Sequence, residues 1–126
     1  MPDTQKTILI VEDEASMLAA LRDKFSREGF VILEAKNGQE GLNGALTNHP
    51  DLILLDIIMP IMDGMTMLDK LRQNPWGKSV PVILLTNLSE PDKVAASLRQ
   101  GVYDYLVKSD WKLEDIVKKV KTKLEK

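Results

Sequence analysis

Asp51-Leu52-Ile53-Leu54-Leu55-Asp56-Ile57-Ile58-Met59-Pro60-Ile61-Met62-Asp63-Gly64 is the stretch that decides the fold. Four consecutive apolar residues follow Asp51, a run short enough for a strand and apolar enough to be buried on both faces. The run delivers a carboxylate, Asp56, and the chain then meets Met59-Pro60 and the turn signal Asp63-Gly64. An ionised carboxylate at the end of a buried strand needs partners or a metal once it loses water. In an open parallel sheet, ligands bind at the carboxyl ends of the strands. The surroundings of Asp56 are therefore the key to the chain.

Working outward, Thr7-Ile8-Leu9-Ile10-Val11 predicts a buried first strand that ends on Glu12-Asp13-Glu14, after a frayed polar start over residues 1–5. Leu18, Leu21 and Phe25 mark the inner face of a first helix, and Gly29 its C-terminal cap. Val31 to Ala35 predicts a second strand, Asn37-Gly38 a turn, and Gly41 to Asn48 a helix with Leu42, Ala45 and Leu46 inward. Beyond the third strand, Met65 to Gln73 predicts a helix closed by Asn74-Pro75-Trp76-Gly77. Val80 to Thr86 predicts a fourth strand, with Pro81 tolerable only near its beginning. Ser89-Glu90-Pro91-Asp92 resembles a capping box opening a helix to Gln100. Gly101 ends that helix, and Val102 to Val107 predicts the fifth strand, closed by Lys108. Leu113, Ile116, Val117, Val120 and Leu124 form one apolar stripe on the last helix.

Strands alternating with helices through short connections predict a parallel α/β sheet covered on both faces, with five strands and five helices. An α/β barrel would need eight such units. The length of 126 residues predicts one domain, residues 1–126, ending with the last helix and without an attached output domain, either as a stand-alone protein or as a piece of a longer one. A net charge of −2 gives no global field favouring nucleic acid or membrane. The absence of cysteine removes disulfides, thiolate metal sites and thiol nucleophiles together. No apolar run approaches the roughly 18 residues of a membrane span, and no signal peptide opens the chain, so a cytoplasmic address is expected.

Brought together, the strand ends carry Glu12 and Asp13, Asp56, Thr86 and Lys108. Three clustered hard oxygen donors suit Mg²⁺. A lysine supplies a compact positive charge for a phosphoryl group, and a hydroxyl can donate a hydrogen bond to it. An aspartate can itself be the nucleophile and form an acyl phosphate.

Val11-Glu12-Asp13-Glu14, Leu55-Asp56 through Asp63-Gly64, Leu84-Leu85-Thr86 and Gly101-Val102-Tyr103-Asp104-Tyr105-Leu106-Val107-Lys108 resemble the motifs of the response-regulator receiver domain of two-component signalling. The resemblance runs through nearly the whole chain, in order. It implies a flavodoxin-like, doubly wound sheet with strand order 2-1-3-4-5. It also implies Asp56 as phosphoacceptor, with Glu12, Asp13, Asp56 and the Ile58 backbone carbonyl as Mg²⁺ ligands. Thr86 and Lys108 would hold the phosphoryl group, and Tyr105 would change position with Thr86 as a switch acting on a partner-binding face. The implied donor is a phosphohistidine of a histidine kinase or histidine phosphotransfer protein. The output is an unnamed protein, with the chain a monomer or a phosphorylation-dependent homodimer that binds no nucleic acid directly. Such a domain is a switch, catalysing only its own phosphorylation and dephosphorylation.

Taken singly, each motif has a plainer explanation. A strand-end acid is commonly a cap or turn residue. Glu12-Asp13-Glu14 could favour the first helix through its dipole, Thr86 could be a core-edge hydroxyl, and Lys108 a solvated strand end. Asp63 is read as making a turn with Gly64; Met62, Met65 and Met67 as filler; His49, the one histidine, as a surface residue. The lysines of the last helix are read as solvating it. The sequence departs from the family pattern at Ser109 after Lys108, where proline is usual, so a trans Lys108–Ser109 bond is expected. It departs again at Asn87, and Ile58 and Leu88 are apolar at variable positions that flank the phosphoryl group. Those two side chains predict a long-lived acyl phosphate by excluding water. A small-molecule phosphohydrolase of the haloacid dehalogenase type would carry a second aspartate where Ile58 stands. A flavodoxin-like cofactor binder would want a phosphate loop where Glu12-Asp13-Glu14 stands.

Overall fold

A computed structural model of the chain describes residues 5–86, 101–102, 104–107 and 112–124, with the side chains of Thr86, Asp104, Tyr105 and Val107 outside that description. The strands are β1 (Thr7–Val11), β2 (Val31–Ala35), β3 (Leu52–Asp56), β4 (Val82–Thr86) and β5 (Asp104–Val107). The described helices are α1 (Ala15–Arg27), α2 (Gly38–Asn48), α3 (Gly64–Arg72) and α4 (Leu113–Leu124). The strands pair in parallel in the order β2-β1-β3-β4-β5, the order the resemblance implies. The helix expected over Ser89–Gln100 lies outside the described residues.

Alternation along the central strands sorts the core into two layers. Leu9, Val11, Ile53, Leu55, Val82 and Leu84 face α2 and α3, where Leu42, Ala45, Met67, Leu68 and Leu71 meet them. Ile8, Ile10, Leu52, Leu54, Ile83 and Leu85 face α1 and α4, packing on Leu18, Leu21, Phe25, Ile116, Val117 and Val120. Successive strand residues point to opposite faces, so a sheet covered on both sides requires unbroken apolar runs. That is why β1, β3 and β4 lack polar alternation. Each fully buried Leu or Ile contributes roughly 1.5–3 kcal/mol.

Several boundaries differ from the sequence expectation. Asn37 and Gly38 do not form a free turn: Asn37 is the N-cap of α2, its Oδ1 accepting from the Glu40 N–H at 2.9 Å, and Gly38 is the first helical residue. The Glu40 carboxylate completes the cap by accepting from the Lys36 N–H at 2.9 Å. Likewise Asp63 caps α3, its Oδ1 accepting from the Thr66 N–H at 2.8 Å, so α3 starts at Gly64. β4 begins at Val82, not Val80. Pro81 has no N–H to give the ladder, though its carbonyl accepts from Ile53 N–H at 3.0 Å. β5 begins at Asp104, since the register sets Asp104 opposite Ile83 and would set Val102 opposite Pro81.

Met67 is fully buried, and Met62, Met65 and Trp76 are partly buried against the same core. His49 is exposed but stacks on Trp76, with ring centroids 4.3 Å apart and planes 11° from parallel. Among the lysines of α4, Lys121 Nζ pairs with Glu28 Oε1 at 2.6 Å, fastening α4 to the end of α1.

Candidate functional site

β1 neighbours β2 on one side and β3 on the other, so the chain reverses its winding between β1 and β3. The carboxyl ends at such a switch point leave an open crevice. β1 delivers Glu12 and Asp13 to that crevice, and β3 delivers Asp56, its last residue. Ligand oxygens of the three carboxylates all lie within 4.8 Å of one another. Glu12 is fully buried, Asp56 is 5% exposed, and Asp13 opens to solvent. Glu12 is held by the end of β2 and by its own turn: its N–H donates to the Ala35 carbonyl at 3.0 Å, and its Oε2 accepts from the Glu14 N–H at 3.1 Å.

The loop after Asp56 is built to be rigid. Ile57 and Met59 are buried anchors, and the Gly64 N–H donates to the Ile57 carbonyl at 2.7 Å. A Cβ on Gly64 would lie 2.1 Å from the Asp56 carbonyl oxygen. Glycine is therefore required for α3 to start so close beneath the acid. From the other side, the Gly38 N–H donates to the Met62 carbonyl at 2.7 Å, tying α2 to the loop.

Of the residues expected at the site, Glu12, Asp13 and Asp56 converge, and Ile58 follows two positions after Asp56 with its side chain 50% exposed. In the backbone register Asp56 stands opposite Leu85, so Thr86 is the next residue along β4, itself opposite Val107 of β5. Tyr105 stands opposite Leu84, two positions before Val107. Lys108, Ser109, Asn87 and Leu88 lie outside the described residues, as does the Lys108–Ser109 bond. Sequence reading overlooked Gly38 as a support of this loop, although Asn37-Gly38-Gln39-Glu40 carries the spacing of a helix cap.

Three carboxylates this close suit a hard cation, and the donor set is all oxygen. In an octahedral Mg²⁺ site with bonds of about 2.1 Å, neighbouring ligands sit about 3 Å apart and opposite ones about 4.2 Å. Ligand atoms within 4.8 Å of one another lie close to that range, so the donor set suits such an ion.

The family model of the response regulator receiver domain matches residues 8–121. The chain belongs to this family. Among relatives, the receiver domain is 37% identical over 123 residues to the transcriptional regulatory protein PrrA of Mycobacterium tuberculosis, covering 98% of this chain and 52% of that protein. It is 36% identical over 103 residues to the alkaline phosphatase synthesis transcriptional regulatory protein PhoP of Bacillus subtilis, covering 82% and 42%. The chain thus spans about half the length of the curated relatives it matches. A solved receiver domain of a signal transduction histidine kinase from Syntrophus aciditrophicus superposes with a TM-score of 0.84 at 35% identity, covering 93% of this chain and 88% of that one. A CheY-like response regulator receiver domain protein from Methanospirillum hungatei gives 0.89 at 28% identity, covering 97% and 95%. This receiver domain is a signalling switch of the two-component type. No helix among its described residues is long and apolar enough to cross a membrane.

Proposed function

We propose that residues 1–126 act as one phosphoacceptor unit in which Asp56 takes a phosphoryl group from a phosphohistidine. The observation that supports this most is the convergence of Glu12, Asp13 and Asp56 at the switch point, with Asp56 at the tip of a fully apolar strand. In the transfer, the donor N–P bond breaks as a bond forms between phosphorus and an Asp56 carboxylate oxygen. The departing imidazole takes up a proton. Glu12, Asp13, Asp56 and the Ile58 carbonyl are the groups that would hold Mg²⁺, which supplies positive charge to balance the oxygens of the transferring group. Asp56 is 5% exposed, and a carboxylate held that far from solvent meets the transferring group with little competing water.

Thr86 and Lys108 are assigned the opposite side of the phosphoryl group, one through its hydroxyl and the other through its ammonium. Tyr105 is assigned the readout. A hydrogen bond from Thr86 to a phosphoryl oxygen gives the phosphorylated state a contact the free state lacks, and only such a difference shifts the equilibrium. Because Asp56, Thr86 and Val107 occupy consecutive strand ends, a change at the acceptor has a short backbone route to β5.

The partners assigned are a histidine kinase or histidine phosphotransfer protein, and an output protein that reads the Thr86–Tyr105 face. The relatives named as transcriptional regulators are about twice as long, so direct contact with DNA is not assigned to this stretch. A cytoplasmic setting and a monomer, or a dimer formed on phosphorylation, complete the reading.

The test is incubation with acetyl phosphate, with and without Mg²⁺, followed by intact mass. One added phosphoryl group that requires Mg²⁺ and is lost to hydroxylamine, as an acyl phosphate must be, fits the proposal. No mass gain at saturating donor and metal overturns it.

A further inference from the structure

Ile61 is 83% exposed and sits in the left-handed backbone region, with φ at 69°. The Met62 N–H donates across it to the Pro60 carbonyl at 2.7 Å. Residues 60–62 therefore close a γ-turn of the positive-φ kind, which is rare and strained. A β-branched residue is the poorest occupant of that conformation and glycine the easiest. Ile61 also gains little from burial within this chain. The turn is held from both ends by the Gly38–Met62 and Gly64–Ile57 hydrogen bonds, so the side chain is fixed in its outward direction. Among the described residues, three large apolar side chains are exposed, Val31, Ile58 and Ile61. Two of them stand on this one loop beside Asp56. Backbone strain and exposed apolar groups both concentrate where a protein meets something else.

We propose that Ile61, with Ile58, is the apolar contact on which a phosphohistidine-bearing protein seats while it delivers its phosphoryl group to Asp56. This rests on the acceptor reading and names the partner surface of that same site. The occupant follows from reach: Ile58 is two residues from Asp56, so their Cα atoms are at most about 7 Å apart. A protein side chain that brings phosphorus to the Asp56 oxygen cannot avoid covering this loop. Charge narrows the partner further. Beyond Asp13, which is assigned to the metal, the rim carries Glu14 and Asp63, which repel an acidic surface and would repel a second copy of the same rim. The donor face is therefore apolar opposite the loop and basic at its edge.

The experiment compares wild type, Ile61→Gly, Ile61→Asp and Ile61→Leu with two donors. One is acetyl phosphate. The other is an autophosphorylated histidine-kinase core, the one in a purified panel that transfers fastest to wild type. Acetyl phosphate should label all four within twofold. Transfer from the kinase core should fall at least tenfold in kcat/KM for the Gly and Asp variants, chiefly through KM, and return to within threefold of wild type in the Leu variant. Ile61→Gly should also raise the Tm, which shows that its slow transfer is not a folding defect. Wild-type transfer from the kinase to the Gly and Asp variants overturns the proposal. So does a donor panel that labels no wild type although acetyl phosphate does, and so does loss of self-association in Ile61→Asp with kinase transfer intact. If acetyl phosphate fails to label wild type, the acceptor reading itself falls, and the docking proposal with it.

Discussion

The Gly38 amide and the Met62 carbonyl are joined by a 2.7 Å hydrogen bond that locks the first turn of α2 to the loop following Asp56. A Cβ at Gly38 would lie 2.3 Å from that carbonyl oxygen and 2.9 Å from the Asp63 oxygen. Both obstacles are backbone and cannot rotate aside. Gly38→Ala should destabilise the fold by roughly 1–3 kcal/mol, the usual cost of forcing atoms into a packed site. It should also weaken Mg²⁺ binding several-fold, because the loop that carries Ile58 has to move. Urea denaturation and a metal titration read the two effects. An unchanged midpoint and affinity would show that the loop is set elsewhere.

Mg²⁺ should raise the Tm of wild type, by an amount equivalent to about 2.7 kcal/mol when the metal stands at 100 times its Kd. Asp13→Asn should reduce that gain while leaving the metal-free protein folded, since Asp13 is the exposed member of the cluster. Differential scanning calorimetry with and without a chelator measures it. An equal gain in both proteins would place the metal elsewhere.

Arg72 reaches three carbonyls from the end of α3: Gly77 at 2.7 Å, Val80 at 2.9 Å and Gly101 at 3.0 Å. Burial lowers the pKa of its guanidinium from the ordinary arginine value. The carbonyls lie before β4 and β5, so this one side chain ties the entries of two strands to α3. Arg72→Met keeps the stem but removes the donors, and should cost roughly 2–4 kcal/mol, a few charged hydrogen bonds partly replaced by water. Arg72→Lys should recover only part of the loss, because an ammonium cannot span three acceptors in a plane. Full recovery in the Lys variant would contradict this account.

A parallel sheet covered on both faces could be read from the chain because β1, β3 and β4 are continuous apolar runs, whereas the strand order followed only from the resemblance to the receiver family. The acid cluster could be read for a related reason: a carboxylate at the end of a buried run is costly unless used, so Asp56 stands out. Asn37 and Asp63 were harder. Asn and Asp favour turns and N-caps alike, and a following glycine tips the reading toward a turn. What decides is the amide two or three residues on, which sequence spacing suggests but does not fix. The Gly38–Met62 contact was not legible, since it arises from how α2 lies against a loop more than 20 residues away. The left-handed Ile61 was not legible because a β-branched residue is the opposite of the signal for that conformation.

Glu28 has its pKa lowered, first by the hydrogen bond from Lys121 and then by the charge of the same lysine. A carboxylate depressed on folding adds stability above its unfolded pKa, and that stability is lost as pH falls through the folded value. Glu28→Gln should therefore lower the Tm slightly at neutral pH and have no effect below the ordinary carboxylate range. The pair is only partly buried, so the effect is small and shrinks with salt. Thermal melts of the two proteins across pH decide it. An effect that persists in acid would mean that Glu28 acts through packing.

The central claim is that Asp56 is the acceptor, and phosphorylation-site mapping with acetyl phosphate tests it most directly. The wild type should gain one phosphoryl group in Mg²⁺, localised by fragmentation to the peptide containing Asp56. Asp56→Asn should gain none, while Asp13→Asn gains the same group more slowly. A phosphoryl group on Asp13, Asp63 or a serine, or an Asp56→Asn variant labelled as fully as wild type, would contradict the account.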